Sequence, residues 1–369
     1  VCTNACATLS SDGANCGSCG HSCQGGTCSS GTCGPVKLAT FSVASGIPQG
    51  LAVNSTTVFT TIPGSASWAL YGVAKTATNT TPIPILMLTP GSNSTGYIGA
   101  SDSLLIVVPF TGGQGGAFYD VISCTPSNCA STEQSWFAAM NSSIVCDPAA
   151  QECFVQASGQ TAVQYAKMGT PSQTAPASFS PVLNIAFNGI STATGGYLYS
   201  AGTYSTVLTY PVLQRVSEDG SSGVTTLANF SAAATTNSLL SPLVVTSTQV
   251  YMVGEINDGM NTPNEGLISV LLPNGVGNAS PSFLSGTTMP NDDWLAQWGD
   301  DSGFVFGSPA TQWVTCPVSG CSGMPRVLAD ASQSERYLVG DAQAIYWIND
   351  TVDPNTGTVT SAALMKVAR

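Results

Sequence analysis

Three observations predict an all-β chain: a seven-bladed β-propeller with its N-terminal strand closing the last blade, preceded by a small disulfide-rich knot. The first is a phrase that recurs seven times: a short apolar run, a polar turn, then a second apolar run rich in valine and aromatics. The copies are LAVNSTTVFTTI (51–62), YIGASDSLLIVVPF (97–110), SSIVCDPAAQECFVQA (142–157), IAFNGISTATGGYLYSAG (185–202), LVVTSTQVYMVGE (243–255), DWLAQWGDDSGFVFGS (293–308) and YLVGDAQAIYWIND (337–350). Their starts fall roughly 40–60 residues apart, the spacing of a propeller blade. The second is that two more strand-like runs follow each hairpin. The third is that the last copy is followed by one such run only, SAALMKVAR (361–369), while a spare strand, VKLATFSV (36–43), stands near the start. An N-terminal strand completing the final blade removes the free sheet edges.

The elements follow in order. In the first blade the outer runs are WALYGVAK (68–75) and IPILMLT (83–89), and in the second AFYDVISC (117–124) and QSWFAAM (134–140). Later pairs are AVQYAKM with FSPVLN, PVLQRVS with VTTLANF, GLISVLL with PSFLSG, and QWVTCPV with PRVLA. The inner runs LAV, IGA, VVTS and LVGD favour small residues, as a narrow centre requires. Gly34-Pro35 punctuates the boundary between residues 1–34 and a propeller over 35–369.

Composition narrows the partners. Across 369 residues only 8% are charged, and 8 basic against 20 acidic residues leave a net charge of −12. Phosphate recognition needs clustered Lys and Arg, so nucleic acid is excluded as a partner, and anionic membranes are disfavoured. No apolar stretch reaches the ~18 residues of a membrane span, which argues against membrane insertion. Glycans, cations or a second copy of the chain suit such a surface better. Thirteen cysteines beside a single histidine point to an oxidising compartment, hence a secreted, extracellular or cell-surface protein whose leader has been removed. Seven N-x-S/T sequons, at Asn54, Asn79, Asn93, Asn141, Asn229, Asn278 and Asn349, are glycan acceptors in a eukaryotic secretory context. In a chain so rich in Ser and Thr, chance supplies several as readily.

Seven cysteines crowd the first 34 residues: Cys2, Cys6, Cys16, Cys19, Cys23, Cys28 and Cys33. Leu9 is the one large apolar residue among them, so covalent staples must replace a core. An odd count leaves one thiol free, paired upstream, or bridged to another molecule. The other six form local pairs. Cys124 with Cys129 and Cys316 with Cys321 bracket four-residue loops, and Cys146 with Cys153 brackets a hairpin turn. Closing loops this short pins turns rather than the whole fold.

The phrase CGSCGHSCQGGTCSSGTCG, with Asp12, Asn15, Cys16, Gly17, Cys19, Gly20, Cys23, Gly26, Cys28, Gly31 and Cys33, resembles the cysteine-rich motif of stigma-specific-protein-like domains. In secreted bacterial surface β-propeller proteins a similar motif precedes the repeats. CPVSGCSGMPRVLA (316–329) and AIYWIND (344–350) are similar to such repeats as well. The resemblance implies an exported or surface-attached protein and carries no chemistry with it. A cysteine ahead of Cys2, which an even count would need, is missing.

Catalytic signals are sparse. The only histidine, His21, stands among the knot's turns, one place too late for a C-x-x-C-H haem attachment. A structural zinc in the cluster is chemically open, though an oxidising compartment favours disulfides. Triads and multi-histidine metal sites have no material. Asp292-Asp293 and Asp300-Asp301, near Trp294 and Trp298, offer carboxylates for glycoside chemistry, but adjacent Asp pairs are ordinary turn residues. Calcium is the better acidic expectation and the one cofactor expected. Asp258, Asn261 and Glu265 in one second-to-third-strand loop, and Asp350, Asp353 and Asn355 in another, supply hard oxygen ligands. Among the tryptophans, Trp68 and Trp313 stand beside loops and are the expected exposed stacking surfaces.

The reading that follows is a non-enzymatic extracellular structural or adhesive protein, self-assembling head to tail through its cysteine-rich arm into a filament or surface layer. The alternative is a monomeric glycan- or small-ligand-binding propeller, or further off a carboxylate-dependent glycosidase or lyase.

Overall fold

A computed structural model describes residues 8–43, 46–64, 68–88, 97–108, 119–139, 144–147, 149–158, 163–168, 177–178, 190–203, 211–229, 243–257, 263–272, 282–283, 296–300, 303–308, 312–317, 326–330, 337–353 and 355–369. The cysteine-rich stretch carries β1 (Cys28–Ser29) and β2 (Thr32–Cys33), and β3 (Val36–Phe41) follows. The strands then come in groups of four. They are β4 (Gln49–Val53), β5 (Thr57–Pro63), β6 (Trp68–Ala74), β7 (Pro84–Leu88); β8 (Tyr97–Ala100), β9 (Leu105–Val108), β10 (Tyr119–Cys124), β11 (Gln134–Ala139); and β12 (Ile144–Asp147), β13 (Glu152–Ser158), β14 (Val163–Met168), β15 (Ala177–Ser178). Next are β16 (Ile190–Thr194), β17 (Tyr197–Thr203), β18 (Pro211–Ser217), β19 (Thr225–Asn229), then β20 (Val244–Val245), β21 (Gln249–Asn257), β22 (Pro263–Leu271), β23 (Ser282–Phe283). The last are β24 (Ala296–Asp300), β25 (Gly303–Ser308), β26 (Gln312–Pro317), β27 (Arg326–Asp330), and β28 (Leu338–Gly340), β29 (Ala344–Val352), β30 (Val359–Ala368). Helix is confined, among the described residues, to α1 (Cys129–Thr132).

The fold is all-β, with seven four-stranded antiparallel sheets among the described residues. Each sheet is a simple meander, and the exception is the expected one. β28, β29 and β30 take β3 as their fourth strand, with Val36 opposite Lys366 and Phe41 opposite Ala362. Strand bounds depart from the sequence expectation chiefly at the outer edges. The fourth strand of the third group is described at Ala177–Ser178, and the expected FSPVLN run lies outside the described residues.

The polar turn of the repeated phrase has one recurring design. Asn54 Oδ1 accepts the amides of Thr56 and Thr57 at 3.0 and 2.8 Å. Asp147 does the same for Ala149 and Ala150, Thr246 for Thr248 and Gln249, and Asp341 for Gln343 and Ala344. A short polar side chain thus satisfies the turn's own donors, which is why these residue types recur at that step. The fourth copy uses Gly195 and Gly196 instead, both left-handed at φ 61° and 78°. That is the backbone a two-residue hairpin wants and only glycine adopts cheaply. Asp300, opposite Gly303 where β24 meets β25, occupies the same step.

The chain divides into two compact units, Val1–Pro90 with Ala310–Thr315 and Arg326–Arg369, and Gly91–Pro309 with Cys316–Pro325. In the first, the β28–β29–β30–β3 sheet packs on the β4–β7 sheet through Leu38, Phe41, Val58, Ile62, Ile348 and Leu364. Each such side chain, nearly sealed from water, contributes roughly 1.5–3 kcal/mol. The same unit holds the cysteine-rich stretch, where Cys16–Cys28 and Cys23–Cys33 are bonded and Cys19 is disulfide-bonded too. Glycine is required at Gly26, where a Cβ would lie 2.2 Å from the Gly34 carbonyl oxygen. Cys2 and Cys6 lie outside the described residues.

In the second unit, the β16–β19 and β20–β23 sheets share Tyr199, Leu213, Leu227, Val250, Met252 and Ile268. The β12–β15 sheet meets β16–β19 through Val145, Phe154, Leu198 and Val216. Cys124–Cys129 and Cys146–Cys153 are bonded as their spacing predicts, the second directly across the β12–β13 ladder. Cys316 is disulfide-bonded, and Cys321 lies outside the described residues.

Candidate functional site

Register brings together a pair of side chains that no local pattern announces. On β29, Tyr346 stands opposite Lys366 of β30; on β17, Tyr199 stands opposite Arg215 of β18. Both tyrosines are the third residue of the second strand in their sheet. Both cations sit on the third strand, so these are the same position in two copies of the repeat.

In the first unit the pair is closed by charge. Lys75, just past β6, reaches Asp341 at 2.5 Å from Nζ to Oδ2, and Tyr346 donates its hydroxyl to the same oxygen at 3.2 Å. The Lys75 ammonium lies 5.8 Å from the Tyr346 ring centroid. Lys366, 5% exposed, donates to the Lys75 carbonyl oxygen at 2.9 Å. Burial opposes the charge on Asp341, yet the Lys75 hydrogen bond and the Gln343 and Ala344 amides together hold its carboxyl below the ordinary value. Burial chiefly, with Asp341 beside it, keeps the Tyr346 phenol neutral far above its usual range. Burial also lowers Lys366; the Asp341 charge opposes that shift and the Lys75 charge adds to it.

In the second unit the pair is differently furnished. The Arg215 guanidinium carbon lies 4.7 Å from the Tyr197 ring centroid, a cation–π stack, and Tyr197 is tilted against Tyr199 at 6.2 Å. Burial raises the Tyr199 phenol, against the opposing hydrogen bond and charge of Arg215. Tyr197 and Arg215 are half-buried, and Tyr199 is buried.

The residues expected from sequence fall as follows. His21 donates from Nδ1 to the Cys16 carbonyl oxygen at 2.6 Å, and its Nε2 faces the carbonyl oxygen of Arg369. Its ring therefore ties the cysteine-rich stretch to the end of β30. Cys16, Cys23 and Cys28 cluster closely enough to suggest a metal, but all three sulfurs are in disulfides. Asp350 is buried on β29, while Asp353 gives Oδ1 to the Asn355 amide at 2.8 Å within the turn. That bond, with Thr356 assisting, lowers the Asp353 carboxyl. Glu265 lies on β22, paired with Glu255; Asp258 and Asn261 lie outside the described residues. Trp298 lies on β24. Asp292, Asp293, Trp294 and Asp301 are likewise outside them.

Trp68 and Trp313 are corrected. They are 1% and 2% exposed, covered by neighbouring strands although each stands near a loop in sequence. Of the sequons, Asn79 is exposed and left-handed at φ 48°, Asn54 is occupied by its turn, and the Asn349 Oδ1 is buried. Asn229 ends β19; Asn93, Asn141 and Asn278 lie outside the described residues.

No protein-family model matches this chain, and no curated protein does. The stigma-specific-protein-like resemblance therefore stands on its motif alone. Solved structures do match in fold. The chain is similar to the polysaccharide lyase Uly1, at 9% identity over 88% of this chain and 90% of that one, with a TM-score of 0.57. It is similar to a prolyl endopeptidase at 12% identity over 88% of this chain and 51% of that one, TM-score 0.52. BamB from Moraxella catarrhalis matches at 11% identity over 87% and 84%, TM-score 0.49.

The likeness to the polysaccharide lyase corrects the expectation of a non-enzymatic chain. A polysaccharide lyase is built on this fold over 90% of its length, so the fold does not set a chain apart from enzymes. No helix among the described residues is long and apolar enough to cross a membrane.

Proposed function

We propose that this chain is an exported propeller that recognises a polysaccharide, as the likeness to the polysaccharide lyase across 88% of this chain and 90% of that one suggests. That likeness is the observation that carries the reading; composition supports it. Disulfides throughout suit an oxidising compartment outside the cytosol. A surface of Ser, Thr and Asn with 8% charged residues offers hydroxyl and amide partners to sugars. The net charge of −12 disfavours densely anionic polymers and favours neutral or sparsely charged ones. The cysteine-rich stretch is read here as tethered by His21, in place of an arm free to polymerise.

The deciding experiment is a panel of purified polysaccharides incubated with the protein and assayed for bound chain and for new ends. New reducing ends alone indicate hydrolysis, and ends carrying an unsaturated sugar indicate elimination. Capture without new ends indicates a binding module. No capture and no new ends across neutral and acidic polymers refutes the reading. Calcium at the β29–β30 turn remains a proposal of the sequence, and a fall in Tm on chelation is its test.

A further inference from the structure

His21 joins two parts of the first unit, and each of its ring nitrogens meets an oxygen that can only accept. Nδ1 lies 2.6 Å from the Cys16 carbonyl oxygen, and Nε2 faces the carbonyl oxygen of Arg369, the residue after β30. A neutral imidazole carries one N–H and one lone pair, so it serves one of these oxygens and turns a lone pair on the other. The imidazolium carries two N–H groups and serves both.

Both oxygens are held in place. Cys16 is buried and bonded to Cys28, and its amide donates to the His21 carbonyl oxygen at 2.8 Å, so the two residues are tied in both directions. Further bonds knit the same stretch internally: the Gly17 amide donates to Leu9, Cys23 to Gly13 and Gly31 to Ser10. On the other side, the Arg369 amide donates to the Gln343 carbonyl oxygen at 3.2 Å, and Ala368 stands opposite Ala344, so β29 fixes the end of β30. With Nδ1 kept as donor to Cys16, the contact is decided at Nε2. A protonated Nε2 attracts the Arg369 oxygen, and an unprotonated one repels it.

His21 is the chain's one histidine, and imidazole is the side chain that ordinarily changes charge between about pH 5 and pH 8. The other charged side chain of residues 1–34 is Asp12. It accepts from the Asn15 side chain and the Ala14 amide, which hold its carboxyl below the ordinary value, so it stays ionised across that range. On and after β30 stand Lys366 and Arg369, and the strands beside it carry Lys37 on β3 and Asp350 on β29. Asp341, ahead of β29, is paired with Lys75.

We propose that His21 is a proton-operated latch: its imidazolium ties the cysteine-rich stretch to the end of β30, and loss of the Nε2 proton releases the stretch from that sheet. An acidic medium keeps the two together. A neutral to alkaline one frees a stretch that keeps its own Cys16–Cys28 and Cys23–Cys33 bonds. The latch is independent of what the propeller binds.

The test is limited digestion of the full chain by proteinase K between about pH 5 and pH 8, each rate divided by that of a disordered peptide at the same pH. Cuts within residues 8–34 should be about 10–100-fold faster at the upper end than at the lower, the worth of one charge-assisted hydrogen bond. The β-sheet core should resist equally at both. His21→Gln keeps a side-chain amide that never gains charge. Its cutting should be fast and flat across the range, with the gap from wild type widest in acid. A long-range 1H–15N spectrum of the single histidine reads the ring without any variant. Both nitrogens should carry protons while the stretch is protected, and one of them once it is not. Equal corrected rates for wild type across the range, or the same pH slope in His21→Gln, overturn the latch. So does a ring with one proton in the protected state, even where the glutamine variant folds poorly.

Discussion

Replacing Asp341 tests whether the charged cluster holds the β28–β29–β30–β3 sheet to its neighbour. Its carboxylate accepts from Lys75, Tyr346, Gln343 and Ala344. Asp341→Asn keeps an acceptor for the two turn amides but removes the charge facing Lys75. Removing one partner of a sealed ion pair costs about 3–5 kcal/mol, and an exposed pair is worth under ~1. The side chains here keep 14% and 23% exposure, which places the asparagine variant near 1.5 kcal/mol. Asp341→Ala also releases the turn amides, for about 1 kcal/mol more. With unfolding entropy of ~2.1 cal/mol/K per residue, these are shifts of roughly 2 and 3 °C in Tm. Urea unfolding of the three proteins reads the difference directly. The pH dependence has a definite sign. The Asp341 carboxyl is held below its ordinary 3.8, so its contribution is present above that value and lost as pH falls through the lowered one. Wild type should lose stability below about pH 4 more steeply than Asp341→Asn. If both variants match wild type within ~0.5 kcal/mol and all three share one acid profile, the cluster does not hold the sheets.

Three further outcomes are expected. Gly46→Ala should cost about 2–3 kcal/mol by urea unfolding, because Gly46 is left-handed at φ 114° and a Cβ would lie 2.0 Å from the Pro63 carbonyl oxygen; an unchanged midpoint would refute that packing. His21→Ala should make the cysteine-rich stretch a preferred target of limited proteolysis while the remaining β-rich core keeps its Tm, since among the described residues the lost ring hydrogen bonds reach Cys16 and Arg369. Cleavage no faster than in wild type would remove His21 as the tether. The double variant Cys146→Ala/Cys153→Ala should lose at most about 2.5 kcal/mol, the entropy of closing so short a loop, with unchanged far-ultraviolet circular dichroism.

The hairpins are legible in the sequence because each is a local statement. An apolar run, a turn residue such as Asn54, Thr246 or Asp341, and a second run specify two strands and the hydrogen bonds between them within about a dozen residues. Closure by β3 is legible for a related reason, since a lone strand at one end matches a vacancy at the other. The Tyr–cation pairs are not legible. Tyr199 meets Arg215, and Tyr346 meets Lys366, only through ladder register, and register is set by the whole sheet. Trp68 and Trp313 mislead because nearness to a loop in sequence says nothing of the strands stacked above them.

The pairing of β3 with β30 also bears on how the chain is made. β3 leaves the ribosome before every strand of the β4–β30 series, and its partner β30 comes after all of them. Until synthesis reaches Val359–Ala368, β3 presents unpaired amides and carbonyls, the kind of edge that invites aggregation and chaperone capture. A chain that stops short of β30 therefore keeps β3 as a visible mark of incompleteness, and pairing with Val359–Ala368 erases it.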